Sequence, residues 1–63
     1  MSDLLKYLAS KNNDEIKSIS DDMILGGAKD FGAYQYACGI IRGLMIANST
    51  IADTAQRMEE DNE

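Results

Sequence analysis

From position 34 onwards, apolar or small residues return every three or four positions: Tyr34, Ala37, Ile41, Leu44, Asn48, Ile51, Ala55 and Met58. Only a helix turns that spacing to one side, and the alternation of three and four is the heptad rhythm of a helix packed along its length. Phe31, Cys38, Met45 and Ala52 form a second row at intervals of seven. The apolar arc is therefore wider than the stripe of a two-stranded coil and can meet more than one neighbour. Earlier in the chain, Leu5, Leu8, Asn12, Ile16, Ile19 and Met23 keep the same rhythm, with Leu4 widening the face. Ser2 stands where an N-cap precedes a first turn, and Asp3 suits the positive end of the helix dipole. The pattern predicts two helices, about 3–25 and about 31–60. Asn12, Asn13 and Asp14 favour caps and turns, so a break of the first helix into two shorter ones is the alternative there.

The segment Gly26–Gly27–Ala28–Lys29–Asp30 separates the two patterns. Gly26 or Gly27 can take the left-handed conformation that closes a helix, and Asp30 can cap the next. No Gly-Lys-Ser or Gly-Lys-Thr follows and no strand precedes, so this is a helix–helix turn and not a phosphate loop. The expected fold is all-α, an antiparallel two-helix hairpin of coiled-coil character occupying 1–63 as a single domain. Folding about Ala28 brings Leu5 to Ile51, Leu8 to Asn48, Asn12 to Leu44, Ile16 to Ile41, Ile19 to Ala37 and Met23 to Tyr34. The expected seam is thus Leu5, Leu8, Ile16, Ile19, Met23, Tyr34, Ile41, Leu44, Asn48 and Ile51. Asn12 and Asn48 interrupt it, as buried Asn residues do where register or oligomeric state is fixed at some loss of stability; they bond to each other or to another copy. The same folding brings Arg42 near Asp14 and Glu15. Along the first helix, Lys11 with Glu15 and Asp14 with Lys17 have the spacing of exposed pairs.

The far side of the second helix is less ordinary. At about 100° per residue, Gly32, Gly39 and Gly43 fall together roughly half a turn from Ile41, and Ala47 and Thr50 continue the row. Each glycine in a helix costs about 1 kcal/mol relative to alanine. Either the helix is weak or kinked between Gly39 and Gly43, or another backbone comes close there, as small residues at four-residue spacing allow in membranes. Tyr36 and Ile46 flank the row. The candidate protein interface is Gly32, Tyr36, Gly39, Gly43, Ile46 and Ala47.

At 63 residues the chain sits near the size at which a single core barely offsets chain entropy, so a lone hairpin is expected to need a partner. The absence of proline, the 44% hydrophobic content and only four aromatic residues, three Tyr and one Phe, fit helices better than sheet. A formal charge of -5 with scattered lysines and arginines argues against nucleic acid. Acidic residues from Glu59 onwards load the negative helix end, so a mobile acidic tail is expected at about 59–63, free or docked on a basic surface. The single Cys38 cannot form an internal disulfide and reads as a small buried hydrophobe. The start lacks the basic lead and apolar run of a signal peptide. The apolar segment 37–47, interrupted by Arg42, is too short for a bilayer.

No His is present, adjacent acids on a helix diverge, and no serine has a base at a recognisable spacing. The expectation is therefore no enzyme, no catalytic residue, no metal site, no cofactor and no small-molecule substrate. The run GGAKDFGAYQYACGIIRGLMIANSTIADTAQRMEEDNE, 26–63, resembles the short acidic helical proteins encoded among head and tail genes of tailed bacteriophages, with a Gly-Ala-Lys-Asp-like turn, a Tyr-rich helix carrying CGIIRGL and an acidic tail. The resemblance implies a phage accessory protein, present in the host cytoplasm during infection and in some cases in the virion, and it carries over no functional residue. The expected function is non-enzymatic: self-association, or docking on a larger virion or assembly protein. The alternative is an early acidic inhibitor that binds a basic surface of a host enzyme.

Overall fold

A computed structural model describes residues 2–61. It is all-helical: α1, Asp3–Ile24, and α2, Phe31–Asp61, pack against each other as an antiparallel hairpin. The hairpin measures 51 × 17 × 11 Å. Its radius of gyration is 14.8 Å, whereas a compact domain of this length would have about 10.6 Å. Ser2 is the N-cap of α1, its Oγ accepting from the Leu5 backbone N–H at 3.1 Å. Asp30 caps α2, its Oδ1 accepting from the Ala33 N–H at 2.7 Å.

The turn resolves the choice between the two glycines. The Gly27 N–H donates to the Asp22 carbonyl at 2.8 Å and the Gly26 N–H to the Met23 carbonyl at 3.1 Å. These are the paired bonds of a Schellman closure, with Gly26 in the left-handed position at φ 89°. Leu25 is the C-cap, so α1 ends one residue before the expected limit. At the other end α2 continues to Asp61, through the first part of the tail expected to be mobile; positions 62 and 63 lie outside the described residues.

α1 runs unbroken through Asn12, Asn13 and Asp14. The reason lies across the seam. Asn12 Nδ2 donates to Asn48 Oδ1 at 2.9 Å, and Asn48 Nδ2 donates to Asn13 Oδ1 at 2.9 Å and to the Ala9 carbonyl at 3.4 Å. Side-chain amides engaged with the other helix do not compete for their own backbone. The expected bond between Asn12 and Asn48 is present, although folding about Ala28 sets Asn12 opposite Leu44, one turn earlier in α2. Asn48 reaches Ala9, Asn12 and Asn13, all beyond Leu8, the position that folding about Ala28 sets opposite it.

Charged side chains settle differently from the spacing rules. Lys17 pairs with Asp21 at 2.7 Å instead of with Asp14, and Lys11 lies over the Tyr7 ring, 5.5 Å from its centroid, instead of beside Glu15. Arg42 makes no ion pair among the described residues with Asp14 or Glu15. All these groups are in water, where such pairs contribute about 0 to 1 kcal/mol and geometry is decided by rotamer freedom.

Two outcomes follow from the turn and the seam. Gly26→Ala should lower stability by about 1 kcal/mol, because L residues resist positive φ. Gly27→Ala should cost less, because the obstacle to its Cβ is the Asp22 carboxylate, a side chain free to swing into solvent. Urea melts of both variants check this order. Asn48→Ala, which removes every side-chain bond of the trio, should cost about 1–2 kcal/mol, and Asn12→Ala, which leaves Asn48 bonded to Asn13, should cost less; equal midpoints for the two would contradict a network centred on Asn48.

Candidate interaction surface

The two helices distribute charge unequally. α1 carries Lys6, Lys11, Asp14, Glu15, Lys17, Asp21 and Asp22 around its outer side, whereas α2 has a single charged residue, Arg42, between Asp30 and Asp53. A helix apolar around its circumference belongs in an interior, yet α2 has one helical neighbour. Of the expected seam residues, Leu5, Ile16, Ile19, Met23, Ile41, Leu44, Asn48 and Ile51 are half-buried. Leu8 and Tyr34 lie at the seam's edges, 42% and 48% exposed. Ala55, near the open end, is the one described residue that is buried, at 5% exposure.

The outer face of α2 is open. Tyr36 is 73% exposed and Ile46 58%. A Cβ built at Gly39 or Gly43 would meet nothing within 4 Å, and one at Gly32 would meet only the capping Asp30 carboxylate, at 3.4 Å. The helix passes through Gly39 and Gly43 without a break. Ala47 departs from the expected group: it is half-buried and lies towards the hairpin, because the row drifts around the helix between positions 43 and 47. Thr50 takes its place on the face, and its hydroxyl donates to the Ile46 carbonyl at 3.1 Å, which satisfies the polar group within the helix itself.

A second open row contains Phe31, 70% exposed, and Met45, 59%. Phe31 stacks on Tyr34 with centroids 6.3 Å apart. Cys38 is half-buried, and its side chain raises the Tyr34 phenol above its ordinary pKa, first by a hydrogen bond and then by charge. The Asp21 carboxylate raises Lys17 in the same order of causes. Ile24 and Leu25, which belong to neither expected face, are 80% and 86% exposed at the closed end of the hairpin. They fall beside Met23, off the three-and-four ladder, and that displacement was the available signal.

The remaining chemistry is sparse. Among the described residues, no three His, Cys, Asp or Glu side chains gather as a metal site requires. Nor, among the described residues, is any helix long and apolar enough to cross a membrane. A shallow depression lined by Asp53, Gln56, Arg57 and Glu60 runs along one side of α2 alone. What the geometry offers is uncharged, unpartnered helix surface. No family model, curated protein or solved structure matches this sequence.

Proposed function

We propose that this chain is a non-enzymatic accessory protein of a tailed bacteriophage, a helical hairpin that acts by joining further copies of itself or by docking on a larger protein of the particle or its assembly. The observation that carries the binding role is the lack of an interior: Ala55 alone is buried among the described residues, while large apolar side chains stand open along α2. A small chain with so little buried surface gains too little from its own packing to offset the entropy of folding, and surface supplied by a partner makes up the difference. The phage setting is supported by the resemblance of 26–63 alone. In that setting the protein is made in the host cytoplasm and enters the virion where its partner does.

Light scattering of the purified chain, together with mass spectrometry of purified particles, tests the reading. A mass above the 6.9 kDa of one chain, or copies in the particle, supports it. The formal charge of -5 favours one competing role, inhibition of a host enzyme through a basic surface. Salt-sensitive capture of a single host protein, with a monomeric chain and none in particles, would establish that role instead.

The open glycines give a sharper outcome. In a lone hairpin, Gly39→Leu and Gly43→Leu meet no steric obstacle and each raises helix propensity by up to about 1 kcal/mol. Both variants should therefore keep or gain helicity by circular dichroism while losing assembled mass. Unchanged mass would remove the glycine face from the interface.

A further inference from the structure

We infer that the partner on the outer face of α2 is a second copy of this chain, with the two α2 helices running antiparallel about a twofold axis beside position 41. This rests on the proposed self-association and specifies its face, direction and register. The first argument is area. The hairpin exposes 4956 Å², whereas a compact monomer of 6.9 kDa exposes about 4,000 Å². The overhanging last turns of α2 account for part of the excess. The whole excess is close to the roughly 800 Å² that one partner contributes to an ordinary specific interface.

The second argument is self-complementarity, which a twofold interface demands because the same patch must fit itself. Counting outward from position 41 along the outer face, Gly39 meets Gly43 of the other copy, and Tyr36 meets Ile46. The backbones approach where side chains are missing, and the two exposed large residues close over each end of that approach. Further out, Gly32 meets Thr50, whose hydroxyl is already bonded within its own helix. Beyond Thr50 the face ends at Asp53, whereas Lys29 precedes the first residue of α2 and lies outside this count. The direction follows from charge as well. Parallel helices would bring the Glu59, Glu60 and Asp61 ends together, and antiparallel ones hold them apart and align the dipoles favourably.

Paired cysteines test the arrangement. In a Cys38→Ser background, Tyr36→Cys and Ile46→Cys are made in separate chains, checked for helicity, and oxidised alone and as an equal mixture. The expected result is a mass near twice 6.9 kDa before oxidation and a disulfide-linked dimer in the mixture only. Self-linking of either chain alone would show parallel packing and overturn the proposal. Linking of a Phe31→Cys and Ala52→Cys mixture, with none from the first pair, would move the contact to the other open row and overturn it while self-association stands. A single-chain mass at every concentration would overturn both.

Discussion

Two helices share one line of contact, and that limit governs everything else in this molecule. α1 has little to lose by it, because its outer side is charged and belongs in water. α2 is different: from Phe31 to Ala52 it holds one charged residue, and the hairpin can cover only the side that carries Ile41, Leu44 and Ile51. Tyr36, Met45 and Ile46 are left facing solvent. The elongated shape, the near absence of buried residues and the large surface are three expressions of the same geometric fact. Repacking of α1 and α2 alone relieves none of them, since among the described residues no third element lies across α2.

Within that single line of contact, polarity is used to set alignment. The side chains of Asn12, Asn13 and Asn48 occupy the middle of the seam and bond to one another and to the Ala9 carbonyl. Apolar residues there would bury more favourable surface, but leucine against leucine slides between neighbouring turns with little change in energy. An amide trio has one good arrangement, and a slip of one turn breaks it. The same bonds draw the side chains of Asn12 and Asn13 away from the backbone of α1. Residues that break helices when isolated are thereby made compatible with one. The alignment matters beyond the seam, because it decides which residues of α2 face outward opposite the charged side of α1.

Much of this could be read from residue order, for identifiable reasons. The Ser2 and Asp30 caps and the glycine closure are short-range chemistry, in which a residue type and its neighbours determine the outcome. The seam was legible because Ile16, Ile19, Ile41 and Leu44 lie on a ladder of threes and fours, and even the meeting of Asn12 with Asn48 could be anticipated. What escaped was geometry finer than the period. Spacing alone placed Asn12 opposite Leu44, because it treats side chains as standing on their own positions instead of reaching between turns. It placed Lys17 with Asp14, although Asp21 stands at an equally suitable interval, and in water such choices turn on fractions of a kcal/mol. Ala47 was grouped with the glycines because the row was followed without its drift around the helix. The outer face was legible as unusual, but a sequence of one chain holds no direct record of what covers it.

The local signals also bear on how such a surface could be used. Two caps and a glycine closure start the hairpin from its turn, whereas the amide bonds at mid-seam join residues 35, 36 and 39 positions apart and form only once much of both helices is in place. A partner that meets the formed hairpin would also have to supply the stabilisation that the hairpin's own packing does not. Because the lone hairpin gains so little from its own packing, its population and that of any assembly would still be linked by mass action. Strengthening a cap or the turn would then tighten association without touching the interface, and relieving the exposed face of α2 would weaken the folded state without touching the seam. That reciprocal coupling would be the physical consequence of an interior completed by a second molecule.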